Sequence, residues 1–414
     1  MPSGVRVRIL SGMRVSQRAE RASASITLVL SQRAKELRSS GRDVVDMSVG
    51  EPDFPAPPVV QEAAVAKVRS GDVRYTPAAG TPELRAAVAR HLSDTRGVPF
   101  AAEQVWIGHS AKHALSTACL ALFDPGDRLL LPQPGWLSYD EMALIAGLEP
   151  VPVAPPPAVD GGSTTGGPDL DALEREAARG ARALWINTPS NPTGYVWSRD
   201  EIAGAVEIAV RHDLVILSDE IYRRLVYGER PFCSPVEVDP RALERTVIVD
   251  GASKAFCMTG YRIGFAAGPK EAIVALTKIG SQMAGSPNAI SQAAYLAALA
   301  SEPPEVERMV ATYRERRDRL TEGLRELGLA FPTPHGAFYV LPDVTPWLAG
   351  AADAQQLCAD LLEEEALVLV PGSAFGAPRH VRLSYVLSDE RIASALERLR
   401  RFAERRGLLS GTAC

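Results

Sequence analysis

The sequence predicts an α/β fold: a large domain with a mostly parallel sheet between helices, joined to a smaller α+β domain. Two observations carry this expectation. From about residue 105 a short β-rich apolar run, a turn and a helical pattern recur in order; from about residue 301 long charged amphipathic helices alternate with short strands instead. Strands that alternate with helices pair in parallel, because a parallel neighbour is reached only through a crossover.

Taken in order, the N-terminal "MPSGVRVRIL" is basic but has too short an apolar run for a secretory signal, so residues 1–12 are expected to be a flexible segment. A helix near 20 to 40 is expected to pack with the C-terminal part, giving a small domain from 13–54 and 301–414 around a large domain at 55–300. Within the latter, "QVWIG" (104–108) precedes "AKHALSTACLALF", and "DRLLLP" (127–132) precedes "YDEMALIAG". The further strands are "ARALWINTP" (181–189), "DLVILSDE" (213–220), "RTVIVDG" (245–251) and "RIGFAAG" (262–268). Between them "VAPPPAVDGGSTTGGPD" (153–169) reads as a surface loop, and its glycines lack the following Lys-Ser/Thr of a phosphate-binding P-loop. The C-terminal strands are "GAFYVLP", "LVLVPG" and "HVRLSYV", followed by a final helix. Ser110, Asn187, Asp219 and Lys254 all follow or end strands. In open α/β sheets ligands bind outside the carboxyl ends of strands, so these residues are expected to converge.

Composition narrows the function. With 414 residues, 46% hydrophobic, 23% charged and a net charge of -5, the chain reads as an ordinary soluble enzyme without a nucleic-acid surface. Arg runs at 314–320 and 397–406 alternate with acids and read as solvated helix faces. No apolar stretch reaches 18 residues, so no membrane span is expected. The 5 cysteines are scattered with no C-x-x-C, which argues against a disulfide framework or a metal site and for a reducing cytoplasm. Neither a G-x-S-x-G elbow nor H-E-x-x-H occurs, and the N-terminal segment is too short for a DNA-binding module.

Lys254 stands out within "DGASKAFCMTGYRIGF" (250–265), because this chain writes Arg at nearly every other cationic position. A retained lysine offers an amine that can lose its proton, which Arg cannot; the plain alternative is a salt-bridging lysine at an element end. An amine of this kind, an Asp at a strand end, a nearby Arg and a strand opening into a helix are together what a phosphorylated aldehyde cofactor requires. The amine forms a Schiff base, the phosphate sits on helix N-terminal N–H groups with Arg support, and the carboxylate keeps a ring nitrogen protonated. These are the requirements of pyridoxal 5'-phosphate (PLP).

The motifs "SVGEPDFPAP", "YTPAAGTPELR", "SAKHAL", "PGWLSY", "NTPSNPTG", "SDEIYRRLVY", "SKAFCMTGYRIG", "GAFYVLPD" and "HVRLSY" occur in this order. In them the chain resembles the PLP-dependent fold-type I aminotransferases of class I/II, near the bacterial aspartate aminotransferase subgroup, from about residue 13 to 405. The resemblance implies that Lys254 is the Schiff-base lysine and general base and that Asp219 pairs with the ring nitrogen. Tyr222, one turn along a helix expected after Asp219, and Asn191 would bind the ring hydroxyl. Ser110, Ala111, Lys112, Ser253 and Arg262 would hold the phosphate, and Trp136 would stack on the ring. Tyr75 would reach the phosphate of a neighbouring subunit, implying a homodimer with shared active sites. Arg382 would grip the substrate carboxylate, with Gly50 leaving room opposite and Asn191 and Trp136 beside it. Plainer roles exist: a helix cap for Asp219, turn residues at Ser253 and in "NPTG", a half-buried core position for Tyr75, solvent exposure for Arg382.

The implied reaction moves an amino group between an L-amino acid and a 2-oxo acid, with Lys112 favouring an aspartate- or glutamate-like donor. Two departures from the family pattern, Gly135 before Trp136 and His109 before the phosphate loop, are expected to alter the pocket. They keep open a second chemistry on the same fold: elimination, replacement, cyclisation or carbon–carbon bond formation on an amino-acid-derived substrate.

Overall fold

The computed structural model describes residues 15–22, 26–156, 166–228, 230–349 and 351–409. The expected flexible segment 1–12 and residues 157–165 of the Pro/Gly-rich loop lie outside them. Twelve strands are described: β1 (Val45–Asp46), β2 (Val105–Gly108), β3 (Arg128–Pro132), β4 (Glu149–Val153), β5 (Ala181–Asn187), β6 (Val215–Asp219), β7 (Thr246–Gly251), β8 (Gly264–Ala267), β9 (Tyr339–Val340), β10 (Leu367–Val368), β11 (Val370–Pro371) and β12 (Val381–Ser384).

Seven of these form one sheet in the order β2-β8-β7-β6-β5-β3-β4. The pairs among β4, β3, β5, β6 and β7 are parallel, and β8 is antiparallel to both β7 and β2. Both faces are covered, so the central strands are apolar throughout rather than alternating. In β5, Ala183 and Trp185 enter the core on one face, while Leu184 and Ile186 meet Ile202, Ala205 and Val206 of the helix Arg199–Arg211 on the other. The edge strand β4 was not legible as a strand because Pro150 and Pro152 alternate in it. Proline has no N–H to donate and is tolerated where one strand side is unpaired.

Registry brings the polar strand ends together. Asn187 lies opposite Asp219, Asp219 opposite Val249, and Gly251 and Gly108 both opposite Gly264. The helix Ala111–Leu122 starts at this rim, capped by Ser110, whose Oγ accepts from the His113 N–H at 3.1 Å. It approaches the sheet closely because Gly264 has no side chain: a Cβ there would lie 2.5 Å from the Ala111 nitrogen and 2.7 Å from the Ser110 carbonyl carbon.

The remaining strands build two small sheets, β11-β12-β9, antiparallel, and β1-β10, parallel. The helix Ile26–Ser39 packs here through Ala34 and Leu37 against Leu362, Ala366 and Val368. The helices Glu305–Glu326 and Asp389–Arg405 cover the same region. The Ser384 N–H, at the end of β12, donates to the Met47 carbonyl at 2.9 Å, which ties the segment after β1 to the strand that carries Arg382. Among the described residues no helix is long and apolar enough to cross a membrane, and no group of three or more His, Cys, Asp or Glu could hold a metal ion.

Because the atoms around Gly264 are backbone on three sides, Gly264→Ala is predicted to destabilise the protein by about 1–3 kcal/mol. Differential scanning calorimetry checks this, and an unchanged unfolding midpoint would contradict the close approach.

Candidate active site

A cavity of about 800 Å³ opens at the carboxyl ends of β2, β5, β6 and β7. Gly50, Ser110, Ala111, Lys112, Trp136, Asn191, Asp219, Tyr222, Ser253, Lys254, Arg262 and Arg382 all line it, so the structure brings these predicted residues together. Tyr75 does not: it is 97% exposed and outside the cavity lining.

Lys254 sits in the short helix Ala252–Ala255 directly after β7, and its Nζ donates to the Gly50 carbonyl at 2.5 Å. Burial lowers its pKa from the ordinary lysine value to about 8; Glu51 opposes the shift, while Arg262 and Arg382 add to it. Asp219, at the end of β6, is 2% exposed. Burial raises its carboxyl to about 7, against hydrogen bonds from the Tyr139 hydroxyl (2.7 Å) and the Ile221 N–H (3.2 Å). Among the described residues no Arg or Lys forms an ion pair with it.

The expected helix after Asp219 is absent. Residues 221–224 form tight turns, with the Arg223 N–H donating to the Glu220 carbonyl and the Leu225 N–H to that of Tyr222. Tyr222 nevertheless reaches the cavity, its hydroxyl 3.0 Å from that of Tyr339. The bond Asn191-Pro192 is cis. Arg382 is buried, its Nη1 donating to Asn191 Oδ1 at 3.0 Å and its Nη2 to the Ser48 carbonyl at 2.8 Å, while its buried Nε–H has no partner among the described residues. Lys112 Nζ donates to Ser138 Oγ at 3.1 Å and lies 4.6 Å from the Trp136 ring centre. Burial lowers the Lys112 pKa, and Arg262 lowers it further.

Gly135 and His109 are not part of this lining. The Gly135 N–H donates to Gln133 Oε1 and to the Phe375 carbonyl, each at 3.1 Å, behind the cavity wall. His109 faces a separate opening beside Phe54, Cys257 and Asn288, and its N–H donates to His113 Nδ1 at 3.2 Å. The expectation that these two residues alter the pocket directly is therefore not met.

Sequence reasoning missed Tyr139, Tyr339, Glu51 and a buried charge network behind the site. Glu220, the residue after Asp219, is paired with Arg96 at 2.5 Å and accepts from Ser218 and Ser234. Asp250, four residues before Lys254, is paired with Arg223 at 2.7 Å. The available signal was the run of charges flanking each site residue, but Arg96 is 124 residues from Glu220 in sequence.

These groups fit PLP. The N–H groups at the start of the helix Ala111–Leu122, the hydroxyls of Ser110 and Ser253 and the Arg262 guanidinium form a donor set suited to a phosphate. Gly264 keeps that cradle free of a Cβ. Asp219, buried without an ion-pair partner among the described residues, suits a protonated ring nitrogen, and Lys254 supplies an amine that loses its proton near pH 8.

Comparison with known proteins agrees. The family model described as "Aminotransferase class I and II" matches residues 42–399. The chain belongs to this family. It is 36% identical to the aspartate aminotransferase of Geobacillus stearothermophilus, covering 95% of this chain and 100% of the relative. It is 40% identical to the aspartate/prephenate aminotransferase of Thermus thermophilus, covering 94% of this chain and 98% of that one. A solved structure of Thermus thermophilus aspartate aminotransferase with maleate superposes with a TM-score of 0.88 at 41% identity, over 94% of this chain and 100% of the other. The protein is thus a PLP-dependent aminotransferase of the aspartate aminotransferase subgroup, with the fold-type I architecture expected from its motifs.

In this aminotransferase stripped of cofactor, Lys254 is predicted to react with an amine-selective reagent with a midpoint near pH 8. Because Glu51 stabilises the charged amine, Glu51→Gln should move the midpoint down. The difference in labelling between the parent and Lys254→Ala, followed against pH, measures this; a midpoint at the ordinary lysine value of about 10.4 would contradict it.

Proposed function

We propose that this aminotransferase moves the amino group of aspartate or glutamate to a 2-oxo acid, in an active site built from the residues above. The observation that carries the reading is Arg382: a buried guanidinium in the cavity that pairs with no carboxylate among the described residues and keeps one donor free. A substrate carboxylate would satisfy it. Lys112 offers a second cation beside Trp136 for a distal carboxylate. Relatives named for aspartate and prephenate both act on dicarboxylic compounds, which accords with two cations.

When bound, PLP supplies a ring that draws electrons from the substrate Cα. Lys254 Nζ, neutral above about pH 8, takes the Cα proton. Asp219 holds the proton on the ring nitrogen, and Tyr222 with Asn191 donates to the ring hydroxyl oxygen. Trp136 would cover the ring face, while Ser110, Ser253, Arg262 and the backbone N–H groups of Ala111 and Lys112 would hold the phosphate. Gly50 makes room for Tyr339 beside Arg382: a Cβ there would lie 2.9 Å from the Tyr339 hydroxyl.

The same reading makes the protein a cytoplasmic homodimer, with a large domain at 55–300 and a small domain from 13–54 and 301–414. Exposed Tyr75 would complete the neighbouring subunit's phosphate site. The exposed apolar side chains Val65, Val68 and Val73 precede it in the chain and support burial of this surface.

Steady-state kinetics test the proposal. Lys254→Ala should lose covalent cofactor attachment and at least about 10²-fold in kcat. Lys112→Ala should lower kcat/KM for aspartate by roughly 10-fold or more, a loss of about 1.4 kcal/mol, and leave that for alanine much less affected. Equal effects on both donors would contradict the role of Lys112, and a fully active Lys254→Ala variant would refute the site.

A further inference from the structure

Tyr339 and Tyr222 are buried phenols that hydrogen-bond to each other at 3.0 Å, so one hydroxyl donates and the other accepts. The neighbouring Arg382 guanidinium biases which. The Arg382 guanidinium carbon lies 4.5 Å from the centre of the Tyr339 ring. A cation over a phenol stabilises negative charge on its oxygen and makes that hydroxyl the stronger donor. Arg382 is the leading electrostatic influence lowering the Tyr339 pKa, against the rise that burial causes, whereas on Tyr222 it ranks behind burial and Tyr339 itself. Tyr339 is also fixed in place. It pairs with Ser384 across β9 and β12, packs against Phe338 at 4.8 Å, and occupies the space left by Gly50.

We infer that Tyr339 is a positioning residue for amino transfer: its hydroxyl donates to the Tyr222 oxygen and thereby turns the Tyr222 proton into the cavity. This rests on the reading above, in which Tyr222 donates to the ring hydroxyl oxygen. A phenol that itself accepts a hydrogen bond is a stronger donor, so Tyr339 strengthens the bond that Tyr222 makes. The charged and titratable groups around the pair are Arg382 from β12, Asp219 from β6, Tyr139 from the helix Ser138–Ala146, Lys254 after β7, and Glu51, which acts on Lys254.

The alternative is that Tyr339 merely fills the core and flattens against Arg382. A double-mutant cycle separates the two, read from the pH midpoint of the bound cofactor's visible absorption band in the holoenzyme and in Tyr339→Phe, Tyr222→Phe and the double variant. Weaker donation to the ring oxygen leaves its negative charge less stabilised, so the nitrogen linked to Lys254 keeps its proton to higher pH and the midpoint rises. Tyr339→Phe should raise the midpoint by about 0.3–1 pH unit when Tyr222 is present, and by less than about 0.1 unit when it is Phe. In the same variant kcat should fall while KM for aspartate stays within about twofold, because Arg382 keeps its ring neighbour. A Tyr339→Phe shift that is absent, or equal in both backgrounds, overturns the inference. Failure of the underlying reading looks different: Tyr222→Phe would itself leave the midpoint unchanged.

Discussion

The site depends on ionisable groups held out of water that form no ion pair among the described residues. Asp219 ends β6 and is buried, Lys254 follows the adjacent strand β7 and is half-buried, and loss of solvent pulls their pKa values toward each other, to about 7 and about 8. An isolated buried charge is costly, and most proteins avoid it by pairing. Here the other buried charges are paired away from the site: Glu220 with Arg96, Asp250 with Arg223. Among the described residues Asp219 and Arg382 are left without ion-pair partners, and under the proposed function a pyridinium nitrogen and a substrate carboxylate would supply the complementary charges.

Backbone geometry makes that arrangement possible. Parallel pairing puts the ends of β5, β6 and β7 on one rim, and the registry of Asn187 with Asp219 sets the two side by side. Gly264 lets the helix Ala111–Leu122 begin against the sheet, so its unpaired N–H groups face the same cavity that the amine faces. The segment after β1 then closes the opposite wall, where the Gly50 carbonyl meets Lys254. The sheet contributes Asp219, the helix start its N–H groups and β12 the Arg382 guanidinium. No single element could bind the whole ligand.

Much of this was legible in the sequence, because strands followed by helices have a strong period and because polar residues at strand ends are rare enough to notice. Asp219 and Lys254 were singled out at strand ends, Arg382 through the ordered motifs, and all three line the cavity. What escaped had physical reasons. β4 was hidden by prolines that only an unpaired strand side accepts. The turn after Asp219 looked like a helix start because Ser-Asp-Glu is a good cap, but the buried pairing of Glu220 with Arg96 holds the chain in tight turns. Tyr139 and Tyr339 are separated from their partners Asp219 and Tyr222 by 80 and 117 residues, so no local pattern joins them. Gly135 and His109 were noticed for their identity, yet neither lines the cavity, which sequence spacing cannot reveal.

The most direct test of amino transfer from a dicarboxylic donor is a single half-reaction with nitrogen-labelled aspartate. Holoenzyme is mixed with a stoichiometric amount of [¹⁵N]aspartate, and the released cofactor is analysed by mass spectrometry alongside the carbon product. The account predicts pyridoxamine phosphate carrying the label, with one equivalent of oxaloacetate. Unlabelled cofactor recovered as pyridoxal phosphate, with the aspartate intact or converted to a product that keeps its nitrogen, would contradict it.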